Sequence, residues 1–127
     1  MIRVAIAEDH PEMRVVLRLL LKLSSDLQLV CEAVNGQEAV DCVKNSQPDV
    51  LVMDIRMPIL DGFEAAYQIT KLGSETKIIL ISAYIGEHIV MKASEVGAKG
   101  FVAKEEIASS LLPAIQAVQR GETFFQS

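Results

Sequence analysis

The sequence predicts an α/β domain in which helices cover both faces of a parallel sheet. Short apolar runs alternate five times with segments whose apolar residues recur at helical spacing, a pattern typical of repeated βα units. The run from Val50 to Met53 is apolar without interruption, as expected of a central strand that is covered on both faces. The length of 127 residues suits one domain with its own hydrophobic core.

Five strands are predicted where aliphatic and β-branched residues cluster and a polar or turn-forming residue ends the cluster. Glu8 ends the first run, Asn35 follows the second and Asp54 ends the third. Ser82 ends the fourth run and Lys104 the fifth. The predicted strands are 2–7, 27–34, 49–53, 77–81 and 99–103.

Five helices are predicted between and after these strands. Pro11 suits the first turn of the first helix, because the amide proton that proline lacks has no intrahelical partner there. Gly97 is a favourable left-handed terminator for the fourth helix. Pro113 lies within the last helical pattern, for which we expect a single helix that begins near Glu105 and bends locally. The predicted helices are 11–23, 37–45, 63–72, 86–96 and 107–119.

Right-handed crossovers between five βα units leave few arrangements of the sheet. The order 2-1-3-4-5 gives a flavodoxin-like (βα)5 three-layer sandwich with a parallel five-stranded sheet, and it places strands 1 and 3 side by side. Glu8 and Asp9 follow the first strand, and Asp54 follows the third. Ligand sites of such sheets lie at the carboxyl ends of the strands, so we expect these three carboxylates to converge.

The composition excludes several classes of protein. The formal net charge of -5 argues against direct binding of nucleic acid, which depends on clustered Lys and Arg. No apolar stretch approaches the roughly 20 residues that span a bilayer, and the N-terminus lacks the apolar core of a signal peptide. We therefore expect a cytoplasmic protein without membrane contact. Cys31 and Cys42 are expected to be buried free thiols in a reducing cytosol.

Five polar groups are predicted to meet at one edge of the sheet: Glu8, Asp9, Asp54, Ser82 and Lys104. Carboxylates that lie close together repel one another unless they share a cation or take up protons. Carboxylate oxygens are ligands that Mg²⁺ prefers, and Mg²⁺ commonly bridges protein and phosphate oxygens. A carboxylate can also attack phosphorus, while an ammonium and a hydroxyl group stabilise the phosphoryl oxygens. These groups predict a magnesium-dependent phosphoacceptor site.

In their order and spacing, these residues resemble the receiver domain of response regulators in two-component signalling. The matching segments are 8–9, 53–58, 61–62, 82–83 and 100–104, and the resemblance covers nearly the whole chain. It implies that a sensor histidine kinase phosphorylates Asp54. It also implies Mg²⁺ as a cofactor, bound by Asp9, Asp54 and the main-chain carbonyl of Arg56, with Glu8 acting through a water molecule.

The resemblance also implies how the domain signals. Lys104 matches the family's lysine, and Ser82 and Phe101 match a hydroxyl and an aromatic residue that move together on phosphorylation. The surface of the fourth and fifth βα units would then control homodimerisation or an output domain. The protein would be a switch and not an enzyme. Phe101 lacks the hydroxyl of tyrosine, so it would switch by packing alone, and a plain core role is an equal alternative.

Three features are similar to the NarL/LuxR-type branch of the family. They are Glu105 after Lys104, where the family often has proline, the segment 27–30 and the tail 120–125. Members of that branch usually continue into a helix-turn-helix DNA-binding domain. We therefore predict a receiver domain at 1–120 and the start of a linker at 121–127, with the output domain absent from this chain. Transcription would be regulated, and DNA bound, only through that domain.

Alternative functions can be compared by the residues that each of them would require. A phosphatase of the haloacid dehalogenase kind would need a second Asp two residues after the nucleophile, where this chain has Arg56. A flavodoxin-like ligand carrier would need a phosphate-binding loop, whereas Glu8 and Asp9 would repel an anion. A stand-alone receiver and a docking module not controlled by phosphorylation are further alternatives. The presence of Asp9, Asp54 and Lys104 together argues against the docking module.

Two histidines are assigned no role in the predicted site, whereas Arg56 and Tyr84 are assigned one at its rim. His10 and His88 are expected to be surface residues near helix starts, without convergent partners. Arg56 and Tyr84 lie two residues after Asp54 and Ser82, respectively. We expect Arg56 and Tyr84 to influence dephosphorylation, because a long cation at the rim can shield an acyl phosphate from water.

Overall fold

The computed structural model describes residues 1–126. It contains six strands, which all run parallel in one sheet. The strands are β1 (Ile2–Ala7), β2 (Leu27–Ala33), β3 (Val50–Asp54), β4 (Lys77–Ser82), β5 (Gly100–Ala103) and β6 (Phe124–Phe125). Their order in the sheet is β2-β1-β3-β4-β5-β6. The predicted flavodoxin-like fold and the order of the first five strands are confirmed.

Five α-helices connect the strands, and each begins where the sequence provides a start. Asn35 and Asp61 accept hydrogen bonds from the backbone amides of Glu38 and Glu64, which is the usual way a side chain caps a helix N-terminus. The helices are α1 (Pro11–Lys22), α2 (Gly36–Ser46), α3 (Gly62–Lys71), α4 (Glu87–Glu95) and α5 (Ile107–Gln119). A short 3₁₀ helix, Lys104–Glu106, precedes α5. Pro113 lies inside α5, so the prediction of a single last helix is confirmed.

The sheet separates two hydrophobic clusters, because successive residues of each strand point to opposite faces. Val4 and Ile6 belong to the cluster beneath α1 and α5, whereas Ala5 and Ala7 belong to the cluster beneath α2, α3 and α4. All residues of β3 are buried, as predicted for a central strand. This three-layer packing holds the carboxyl ends of β1 and β3 side by side.

The sheet contains one strand more than predicted. Gly121, at a φ of 88°, ends α5 in a left-handed conformation, and the amide of Glu122 donates to the carbonyl of Ala117. This turn reverses the chain, and Phe124 and Phe125 then pair with β5. Residues 124–126 therefore lie along β5, within the segment predicted as the start of a linker. Ser127, which the predicted linker included, lies outside the described residues.

The prediction of two free thiols is wrong. Cys31 on β2 and Cys42 on α2 form a disulfide, with Cα atoms 6.1 Å apart, a separation within the usual range for disulfides. The reason is geometric, because α2 packs back against β2 and brings two side chains eleven residues apart in the sequence into contact. The sequence spacing alone did not reveal this pairing.

None of the helices formed by residues 1–126 combines the length and the apolar character that crossing a membrane requires.

Candidate functional site

The predicted site residues meet at the carboxyl edge of the sheet. Glu8 and Asp9 follow β1, Asp54 is the last residue of β3, Ser82 is the last residue of β4, and Lys104 directly follows β5. The pairing of β1 with β3 places the ends of these two strands next to each other. The convergence predicted from strand order is therefore observed for Glu8, Asp9, Asp54 and Lys104, and Ser82 lies at the same edge of the sheet.

The centre of the site is an ammonium group shared by two buried carboxylates. Lys104 Nζ lies 2.8 Å from Glu8 Oε1 and 3.2 Å from Asp54 Oδ2. Glu8 is fully buried, and only 3% of Asp54 is exposed. One positive charge therefore faces two negative charges in a region that water barely reaches.

This imbalance of charge is accompanied by opposite pKa shifts of the two carboxylates. Burial and the repulsion from Glu8 raise the pKa of Asp54 to about 6, although Lys104 opposes the shift. Burial also acts to raise the pKa of Glu8, but Lys104 and His10 together hold it below its ordinary value. The pKa of Lys104 is raised, since Glu8 and Asp54 outweigh the effect of its burial. Asp54 is thus the carboxylate that retains affinity for a proton or another cation.

His10 contacts this cluster, contrary to the sequence-based prediction. Its side chain is 61% exposed, as predicted, but Nδ1 lies 3.0 Å from Glu8 Oε2 and 3.3 Å from Asp9 Oδ1. The backbone amide of His10 also donates to Glu8 Oε2. Glu8 and Asp9 raise the pKa of His10. The prediction that His10 lacks convergent partners is therefore wrong, because its place as the residue before α1 turns the ring towards Glu8.

The donor set of the site fits a hard metal cation. One ligand atom each from Glu8, Asp9, His10 and Asp54 lies within 4.8 Å of the others. Three buried carboxylate oxygens face the centre of this group: Glu8 Oε1 and Asp54 Oδ2, which pair with Lys104 Nζ, and Asp9 Oδ1, which lies 3.3 Å from His10 Nδ1. Buried carboxylate oxygens of this kind suit Mg²⁺. The predicted cofactor is therefore compatible with the residues present.

Ser82 and Phe101 occupy neighbouring strands behind the site. Ser82 is buried, and its Oγ accepts a hydrogen bond of 3.0 Å from the amide of Tyr84. Phe101 is fully buried in the cluster beneath α2, α3 and α4. Leu80 of β4 lies opposite Phe101 in the sheet, two residues before Ser82. In this conformation Phe101 is a core residue, so any switching would require it to repack.

Arg56 and Tyr84 form the rim of the site. The guanidinium carbon of Arg56 lies 4.7 Å from the centre of the Tyr84 ring, which is a cation–π contact between the loops after β3 and β4. The sequence placed both residues near the site but did not reveal that they stack. It also missed Arg14, which donates to the main-chain carbonyl of Glu8 over 2.8 Å. Arg14 lies one helical turn after His10, and only this spacing could have indicated it.

Residues 4–116 match the family described as Response regulator receiver domain. The chain belongs to this family. The resemblance to the receiver domains of two-component regulators, predicted from the order of the motifs, is therefore confirmed.

The relatives of this receiver domain are transcriptional regulators. It is 37% identical over 125 residues to the transcriptional regulatory protein DesR and 35% identical over 127 residues to the transcriptional regulatory protein LiaR, both of Bacillus subtilis (strain 168). These alignments cover 98% and 100% of this chain. The chain spans only 62% and 60% of the length of those two proteins.

Solved structures of receiver domains match the whole fold. The signal receiver domain of NarL from Mycobacterium tuberculosis superposes with a TM-score of 0.91 at 33% identity, covering 95% of this chain and 98% of that one. A LuxR family two-component response regulator from Aurantimonas sp. SI85-9A1 gives a TM-score of 0.92 at 30% identity, covering 96% and 87%. The resemblance to the NarL/LuxR-type branch is thereby confirmed.

The raised pKa of Asp54 predicts that Asp54→Asn stabilises the metal-free domain. The pKa of about 6 in the folded state exceeds the ordinary value of 3.8, so ionised Asp54 destabilises the fold at neutral pH. Removing this charge leaves Lys104 paired with Glu8 and should raise the free energy of unfolding at pH 7.5 by on the order of 2 kcal/mol. The gain should shrink as the pH falls below about 6, where the wild-type carboxyl group is protonated in the folded state.

Denaturant unfolding in the presence of a chelator, at pH 7.5 and at pH 5, measures this difference. Asp41→Asn is the matched control, because Asp41 is exposed on α2 and its replacement removes the same formal charge. An Asp54→Asn variant that is no more stable than the wild type at pH 7.5 would contradict the prediction.

Proposed function

We propose that this domain is the phosphoacceptor switch of a response regulator and that Asp54 accepts the phosphoryl group of a sensor histidine kinase. The observation that carries the proposal is a buried carboxylate at the end of the central strand, with Lys104 Nζ 3.2 Å from one of its oxygens. The raised pKa of Asp54 indicates a carboxylate whose charge is only partly compensated. Such a group is more basic than an ordinary carboxylate, which favours its attack on phosphorus, and it gains from a metal cation bound beside it.

The transfer requires one bond to form and one to break. A carboxylate oxygen of Asp54 attacks phosphorus, the bond between phosphorus and the kinase histidine breaks, and the bonding electrons stay on the imidazole nitrogen. Lys104 then pairs with a phosphoryl oxygen in place of Asp54 Oδ2, while Ser82 donates its hydroxyl proton to another. Mg²⁺ bound by Asp9, Asp54 and the carbonyl of Arg56 would neutralise phosphoryl charge. Glu8, which pairs with Lys104, would act on the metal through a water molecule.

Phosphorylation would signal through the fourth and fifth βα units. Ser82 ends β4 and pairs in register with Ala103 of β5, directly before Lys104. A shift of Ser82 and Lys104 towards the phosphoryl group would therefore act on β4 and β5. Phe101, which lies on β5, would be affected with them. The altered surface would favour a homodimer or a different placement of an output domain by population shift.

The output belongs to this proposal as well. The relatives named above are transcriptional regulators that are longer than this chain. We therefore propose transcription regulation through a helix-turn-helix DNA-binding domain that follows the receiver, with no DNA contact by the receiver itself. A stand-alone receiver is the alternative. A cytoplasmic location is also proposed, although the disulfide between Cys31 and Cys42 is a feature uncommon in cytosolic proteins.

The domain would be a switch and not an enzyme with turnover. Haloacid dehalogenase phosphatases carry a second Asp two residues after the nucleophile as acid and base, and Arg56 occupies that position here. Its guanidinium stacks on Tyr84 and carries hydrogen-bond donors but no acceptor for a proton. Hydrolysis of the acyl phosphate therefore lacks a general base at this position.

Incubation with acetyl phosphate and Mg²⁺ should add the mass of one phosphoryl group to the wild-type domain. Asp54→Asn should show no adduct, because an amide is not a nucleophile for phosphorus under these conditions. Intact-mass spectrometry measures the adduct, and size-exclusion chromatography of the same samples measures dimerisation. Absence of an adduct on the wild type, or an equal adduct on the variant, would refute the proposed function.

Replacing Arg56 and Tyr84 together by Ala should accelerate dephosphorylation by about twofold to fivefold, the equivalent of losing one exposed cation–π contact. The physical reason is the proposed shielding of the acyl phosphate from water by the stacked pair, which joins the loops after β3 and β4. The decay of the phosphorylated form after removal of acetyl phosphate gives the rate. Replacement of Lys71 and Tyr67 by Ala is the matched control, because these residues form a similar contact on α3. Equal decay rates in the wild type and the Arg56 and Tyr84 variant would remove this role.

A further inference from the structure

The tail after α5 is attached to the outer edge of β5 by a regular series of hydrogen bonds. The amide of Phe124 donates to the carbonyl of Lys99, and the amide of Gln126 donates to the carbonyl of Phe101, both over 3.0 Å. Without the tail, β5 would be the edge strand of the sheet and these groups would have no strand partner. The tail therefore completes the strand that leads into Lys104.

The side chain of Gln126 continues this series where the backbone of the tail stops. Its Oε1 accepts a hydrogen bond of 3.0 Å from the amide of Ala103, and its Nε2 donates to Ser110 Oγ over 2.6 Å. Ala103 and Ser110 are both buried. A single amide group thus joins the last residue of β5 to the N-terminal part of α5.

This connection lies directly beside the catalytic lysine. Ala103 is the residue before Lys104, and its other neighbour across the sheet is Ser82. The backbone of β5 is held by Ser82 on one side and by Gln126 on the other, at the point where the chain leaves the sheet. The position of Lys104 Nζ between Glu8 and Asp54 depends on that point.

We propose that Gln126 is a positioning residue for Lys104. By fixing the end of β5, it keeps the ammonium within reach of the phosphoryl group on Asp54. This inference rests on the proposed phosphoacceptor function. It assigns a role in phosphorylation to a side chain in the segment that the sequence indicated as the start of a linker.

The variant Gln126→Leu removes both hydrogen bonds with little change in volume, and Gln126→Glu serves as the rescue. A glutamate can still accept from the amide of Ala103, and Ser110 can donate its hydroxyl proton to the second oxygen. Gln116→Leu is the matched control, because the Gln116 side chain on α5 likewise donates a hydrogen bond, to Asp26 in the loop before β2. The initial rate of Asp54 phosphorylation by acetyl phosphate at saturating Mg²⁺ is measured for each protein, together with its Mg²⁺ affinity.

Gln126→Leu should lower the rate by about fivefold, equivalent to the loss of one net hydrogen bond in the transition state. Gln126→Glu should restore most of the rate, and Gln116→Leu should match the wild type. The Mg²⁺ affinity should be equal in all four proteins, because Gln126 acts on Lys104 and not on the metal ligands.

Two results of the rate measurements would overturn the inference alone. They are equal rates for Gln126→Leu and Gln116→Leu, and a rate for Gln126→Glu as low as that for Gln126→Leu. A parallel loss of Mg²⁺ affinity in Gln126→Leu would also overturn it, because the site as a whole would then be disturbed. A wild-type domain that forms no adduct on Asp54 would instead refute the proposed function on which the inference rests.

Discussion

The shared ion pair of Lys104 with Glu8 and Asp54 is the interaction on which the site depends. Two carboxylates that are nearly inaccessible to water face one ammonium, at 2.8 Å and 3.2 Å. The pKa of Glu8 is lowered and that of Asp54 is raised, so the compensation is unequal. Of the two carboxylates, Asp54 is the one whose negative charge Lys104 compensates only in part. This inequality supports the proposal that Asp54 binds a metal ion and accepts a phosphoryl group.

The fold maintains this inequality at the carboxyl edge of the sheet. The pairing of β1 with β3 forces Glu8 and Asp54 together, whereas the end of β5 determines where Lys104 enters the cluster. Helices on both faces keep water away from the strands, which strengthens every charge interaction at their ends. The tail on β5 belongs to the same construction, because Gln126 completes the hydrogen bonding of the strand that carries the lysine to the site.

Sequence reasoning succeeded where the information is local and failed where it depends on distant contacts. Strand ends marked by Glu8, Asp54 and Lys104 identified the site, because parallel strands bring such ends to one edge. The contacts of Gln126 with Ala103 and Ser110 join residues 23 and 16 positions apart, and no periodic pattern announces them. The same is true of the disulfide and of the two-residue strand β6, which is too short to produce an apolar run.

Proton release on Mg²⁺ binding tests the unequal compensation most directly. Titration calorimetry in buffers of different ionisation enthalpy counts the protons, and a His10→Gln background removes the imidazole, whose own pKa is raised. With a pKa of about 6 for Asp54, binding should release about half a proton at pH 6 and almost none at pH 8. Binding without proton release at pH 6 would show that Asp54 is already fully ionised, and would contradict the unequal compensation of the two carboxylates.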